Sequence, residues 1–128
     1  MVGDGAVGLL AVLAADQLGA ERIIALSCHE PRQKLAAQYG AIHIVTERGD
    51  EGVARIKELT DGLAAHSVIE AVGTQESMMQ SIRSTRPGGH VGYVGVSPTA
   101  CSSPVRSCPS PTCTCTTVRH RCAVSCLS

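Results

Sequence analysis

The chain has 128 residues with eleven basic and eleven acidic side chains, so its formal net charge is zero and nucleic acid is not an expected partner. With no Trp, no Phe and two Tyr, the core of a single domain has to be built from Val, Ile, Leu and Ala. The apolar stretch from Ala6 is broken by Asp16 and has no basic segment before it, which excludes a spanning helix or a secretory leader there and makes a cytoplasmic protein without membrane contact the expectation.

In chain order, Gly3-Asp4-Gly5-Ala6-Val7-Gly8 is a G-x-G-x-x-G run. It leads directly into Leu9, Leu10, Val12, Leu13 and Leu18, an apolar pattern at helical spacing that Gly19 is placed to end. In a dinucleotide-binding βαβ unit the first glycine makes the tight turn, the second admits a pyrophosphate and the third lets helix and strand pack closely. The helix start then offers unpaired N–H groups to the phosphates. Only Met1 and Val2 precede the glycines, whereas a strand takes about five residues, so the first strand is expected to be truncated to the point of absence.

Residues 23–26 form a short apolar run of the buried parallel-strand type. Pro31 suits a first helical turn, and Leu35, Ala36 and Tyr39 carry that helix to Gly40. A strand over 42–45 follows, then a helix capped by Asp50 with Val53, Ile56 and Leu59 inward, stopping near Gly62. A strand over 68–72 ends at Gly73, and Thr74 caps a helix with Met78, Met79 and Ile82 inward. Pro87-Gly88-Gly89 turns the chain into a last strand over 91–96. Strands alternating with helices predict an α/β fold, a partial Rossmann-type parallel sheet with flanking helices.

Residues 97–128 are a different kind of chain. All thirteen glycines and all eleven acidic residues lie before them, while they hold six of the seven cysteines amid Ser, Pro and Thr. Residues 1–96 carry eight basic against eleven acidic side chains, net −3, and the tail carries Arg106, Arg119 and Arg121, net +3. The cysteines show no paired C-x2-C spacing, which argues against a built zinc site. The composition is that of a disordered segment, and of a GC-rich gene read one base out of frame. The expected organisation is therefore a truncated dinucleotide-binding domain over 1–96, lacking its sixth strand, and a disordered, out-of-frame tail over 97–128. The alternative is a non-catalytic nucleotide-binding or interaction module with a Cys-rich metal-binding tail.

Gly3 to Gly8, the Leu-Gly-Ala at Leu18 to Ala20, and Tyr39-Gly40-Ala41 resemble the cofactor domain of the zinc-containing medium-chain alcohol dehydrogenases. So do Val68-Ile69-Glu70-Ala71-Val72-Gly73 and Arg86-Pro87-Gly88-Gly89-His90-Val91. The resemblance covers 1–96. It implies an NAD(P)-dependent oxidoreductase that moves hydride between an alcohol or carbonyl substrate and a nicotinamide, in a family whose proteins are oligomeric. Met1 stands where that family has a valine, so an internal start is expected. The family's zinc ligands come from a preceding domain. No catalytic residue and no metal ligand are assigned in this chain, which is expected to be inactive alone and to bind cofactor weakly.

The resemblance carries the pyrophosphate onto Gly3, Gly5, Ala6, Val7 and Gly8. The adenosine ribose falls near the end of the second family strand, at Ser27, with His29 and Arg32 following. A hydroxyl and an arginine where NAD users place a carboxylate favour NADP, with NAD as the alternative that an inward Glu30 would support. Val72, Gly73, Val94, Gly95 and Val96 resemble the segments lining the adenine and nicotinamide side. Glu70 is read as a strand-end carboxylate satisfied by neighbouring backbone or a helix start, not as a catalytic group.

Overall fold

The alternation of short apolar runs and helical spacing becomes an alternation of parallel strands and helices in the computed structural model, which describes residues 1–95 and the backbone of 114–117. From the glycine turn onward the elements are α1 (Ala6–Gln17), β1 (Ile24–Leu26), α2 (Glu30–Gln38), β2 (His43–Val45), α3 (Gly49–Leu59), β3 (Ala65–Glu70), α4 (Gln75–Arg83), β4 (Thr85–Tyr93) and β5 (Thr114–Thr117). Strand β1 pairs with β2, and β3 with β4, all parallel.

The two residues before the glycines join these halves. Val2 bridges in parallel to Leu26 on one side and Glu70 on the other. Its N–H donates to Ile69 O at 2.8 Å, and Ala71 N–H donates to Val2 O at 2.9 Å. Leu26 N–H donates to Met1 O at 2.9 Å, and the Met1 nitrogen donates to Ile24 O at 2.7 Å. The first strand is truncated, as expected, and remains as a two-residue link. The sheet runs β2-β1-Val2-β3-β4-β5, the doubly wound order with its central member cut short.

Three further differences have local causes. A sixth strand is present as β5, with Thr114 opposite His90 and Thr117 opposite Tyr93. Three of its four residues are Thr, whose β-branching favours extended backbone, and β4 offers them an edge. Pro87-Gly88-Gly89 does not precede β4 but bulges from within it. Ala65 faces Thr85 and Ser67 faces His90, so the extra residues loop out where Pro87 has no N–H to give the ladder. In α4 the buried positions are Ser77, Gln80 and Ser81, while Met78, Met79 and Ile82 are only half-buried. Helix α3 is capped at Arg48 rather than Asp50, and Asp50 instead pairs with Arg83 at 2.6 Å.

The core lies on both faces of the sheet. Val2, Leu26, Val45, Ile56 and Val68 pack on the α3 side. Val12, Ile23, Ala25, Ala36 and Ala41 pack on the α1–α2 side. Among the described residues no helix is long and apolar enough to cross a membrane. The remaining expectations for the tail, disorder, an altered reading frame or metal ligation, lie outside the described residues.

Candidate functional site

The carboxyl ends of β1 and β3 and the end of β4 meet the glycine turn at one edge of the sheet. Gly3 has φ +113°, and a Cβ there would lie 2.9 Å from Val72 Cγ2. A Cβ on Gly8 would run into the Gly3 carbonyl oxygen, whereas Gly5 has open space around it. Gly5 caps α1 without any side-chain hydrogen bond, and Ala6 and Val7 are exposed in the first turn. The first N–H groups of a helix have no intrahelical partner, so this turn presents free donors and a positive dipole end to an open cradle. A phosphate fits that cradle, and a side chain at either packed glycine would close it.

The three residues nominated beside the ribose converge on a residue that was not nominated. The Asp4 carboxylate accepts from Ser27 Oγ at 2.8 Å, from His29 Nδ1 at 2.8 Å and from Arg32 Nη1 at 3.2 Å. Burial would raise its pKa, but the hydrogen bonds from His29, Ser27 and Arg32 outweigh that and lower it from 3.8 to about 2. Asp4 sits between the first two glycines, and an acid facing Arg32 and His29 across the turn was the available signal. Glu30 does not turn inward; it is exposed and pairs with Lys34 at 3.3 Å.

At the other side, Glu70 is fully buried. Its Oε1 accepts from Val72 N–H at 2.8 Å, Gly73 N–H at 2.7 Å and Ser77 Oγ at 2.8 Å. Val94 and Gly95 N–H donate to the Glu70 carbonyl at 2.8 and 3.1 Å. Glu70 therefore ties the Val72-Gly73 turn to the Val94-Gly95 segment through Oε1 and its main chain, whereas its Oε2 is buried without a hydrogen-bond partner among the described residues, so backbone satisfies the carboxylate only in part. Val72 and Val94 are exposed and Gly73 is buried; Val96 lies outside the described residues.

Asp4, Cys28 and His29 are the one group of metal-ligand types gathered among the described residues, with donor atoms within 4.8 Å of one another. They do not fit a catalytic zinc. Arg48 Nη2 already donates to Cys28 Sγ at 2.6 Å, and Arg32 holds Asp4, so two permanent cations occupy the positions facing an incoming dication. Donation to Cys28 raises the pKa of the Arg48 guanidinium further.

A family model described as zinc-binding dehydrogenase matches residues 6–122. The chain belongs to the zinc-binding dehydrogenase family. It is 34% identical over 98 residues to the NADP-dependent isopropanol dehydrogenase of Entamoeba histolytica, across 74% of this chain and 27% of that protein. Benzyl alcohol dehydrogenase from Acinetobacter calcoaceticus superposes with a TM-score of 0.70 at 38% identity, over 80% of this chain and 28% of that one. The alcohol dehydrogenase of the archaeon Aeropyrum pernix gives a TM-score of 0.76 at 28% identity, over 91% and 33%. The chain thus spans about a quarter to a third of the length of the zinc-binding dehydrogenases it matches. The family is NAD(P)- and zinc-dependent, and a dinucleotide is the ligand its cofactor domain takes.

Proposed function

We propose that this chain is the dinucleotide-binding portion of a cytoplasmic zinc-type alcohol dehydrogenase, selective for NADP and without turnover of its own. The observation carrying this reading is the open glycine cradle at the start of α1, flanked by Ser27, His29 and Arg32. A bound nicotinamide supplies the hydride acceptor or donor of the reaction. The chain's own residues bind and orient: the first turn of α1 receives the pyrophosphate, and Val72 and Val94 offer apolar surface beside it. Arg32, paired with Asp4, and Arg48, held on the Cys28 sulfur, bring two guanidinium groups to the ribose corner, the donors a 2′-phosphate would take. No zinc-centred step is assigned to these residues.

Nucleotide titration followed by NMR amide shifts tests the reading. The chain should bind NADPH weakly, bind NADH more weakly still, and show no alcohol oxidation. Arg32→Ala should cost about 1–3 kcal/mol of NADPH affinity while leaving NADH affinity unchanged, since the lost hydrogen bond is charge-assisted. Equal affinity for the two cofactors in both proteins defeats the NADP assignment. Tight stoichiometric NADPH binding defeats the expectation of weak binding.

A further inference from the structure

The amino-terminal end of β3 brings two histidines together, away from the glycine cradle. His66 lies four residues before Glu70, about 13 Å back along the strand from the cofactor edge. The register pairs Ser67 with His90, so these two side chains share a face of the sheet. The register shift between Ala65 and Ser67 brings His66 to that face as well, since its Nδ1 lies 2.8 Å from Ser67 Oγ. Gly89 allows the approach: a Cβ there would come within 2.6 Å of the His66 carbonyl oxygen and of Thr85 Cγ2. The bulge over Pro87-Gly88-Gly89 thus sets His90 beside His66.

The two rings stand with centroids 5.8 Å apart and planes inclined at 58°, and both residues are exposed. An ion about 2.1 Å from two imidazole nitrogens holds the ring centroids about 4.5 Å apart at a right angle and about 5.2 Å apart at the tetrahedral angle. The remaining difference of about 0.6 Å is within the reach of side-chain rotation at exposed positions. Ser67 supports the arrangement. With an ion on His66 Nε2, the Nδ1 carries the proton and donates to Ser67 Oγ, which fixes the tautomer and the ring. No third Cys, His, Asp or Glu forms a cluster with the pair among the described residues, so water completes the coordination. Imidazole ligands without a carboxylate suit a divalent ion of the later transition series, Ni²⁺, Cu²⁺ or Zn²⁺, over Mg²⁺ or Ca²⁺.

We propose that His66 and His90 form a two-histidine site for such an ion, which cross-links β3 to β4 across the bulge. Ser67 is its positioning residue. The proposal is independent of nucleotide binding.

The probe is Ni²⁺, titrated into the purified full chain and followed in amide NMR spectra, where its paramagnetism broadens nearby signals. Six cysteines in residues 97–128 offer the metal other ligands, so the readout is broadening at the site and not total uptake. Expected is saturable broadening centred on His66, Ser67, His90 and Val91, reversed when Zn²⁺ displaces the probe. His66→Gln and His90→Gln should each raise the Ni²⁺ concentration needed there about tenfold or more, because a single imidazole has no chelate partner. Ser67→Ala, which keeps both imidazoles, should raise it about tenfold. The Ser27 amide, bonded to Val45, should hold its shift in all three variants and so report an intact fold. Absence of broadening at these amides overturns the proposal. So does broadening that persists unchanged in either histidine variant, since one ring then binds the ion alone. An unchanged midpoint in Ser67→Ala overturns the positioning role.

Discussion

Asp4 shows how much one side chain sets at this site. Three donors from the segment after β1 reach across to its carboxylate, which locks the glycine turn to residues 27–32. Because its folded pKa lies below the unfolded value, the stability it contributes is fully present above about pH 4 and is lost as pH falls towards 2. Urea midpoints measured from pH 5 to pH 2 should fall less steeply for Asp4→Asn than for the parent chain. An identical slope would mean the carboxylate contributes nothing. The same side chain was passed over in the sequence, where the glycines around it carry the motif; its partners lie more than twenty residues away and become neighbours only in the fold.

At the scale of elements, α4 departs furthest from its apolar pattern. Its buried face is Ser77, Gln80 and Ser81; of these Ser77 donates to the Glu70 carboxylate beneath the first turn, while Gln80 Nε2 is buried without a partner among the described residues. Small side chains also let the helix approach the sheet, and they reach back along it: Ser81 Oγ donates to Ser77 O, and Thr85 Oγ1 donates to Ser81 O, both at 2.8 Å. The cap was legible and holds. Thr74 Oγ1 accepts from Ser77 N–H at 3.2 Å in a reciprocal capping box. Thr74→Ala should cost about 1 kcal/mol in chemical denaturation, with Thr74→Ser close to the parent chain. Equal losses for both would point to the methyl group instead of the hydroxyl. Helix α1 is the converse case: Leu10, and Leu18 at its C-cap, fit the apolar spacing yet are exposed, because Gly8 and Val12 are its buried positions and Leu9 and Ala15 pack beside them.

For the whole molecule, the decisive contact is the pair of bridges made by Val2. Without them β1-β2 and β3-β4-β5 would be separate sheets, each with an open inner edge. Val2→Pro removes the N–H that reaches Ile69 and should uncouple the halves. Hydrogen exchange should then be fast at Leu26 and Ala71 yet remain slow at Ser27, which bonds Val45 within its own half. Retained protection at Ala71 would show that side-chain packing alone holds the sheet together.

Local chemistry was enough to place the alternating elements, the glycine turns and the Thr74 cap, because apolar period, φ > 0 requirements and capping hydroxyls act within a few residues of one another. Gly19, Gly40 and Gly62 take the left-handed conformation their positions at helix ends call for. Membership of the dehydrogenase family was legible for the same reason, since its motifs are short and local. The two-residue bridge, the polar underside of α4, the strand at 114–117 and the Asp4 cluster were decided only in three dimensions. Each depends on partners distant in the chain, where a free sheet edge, a buried carboxylate or a facing arginine outweighs local preference.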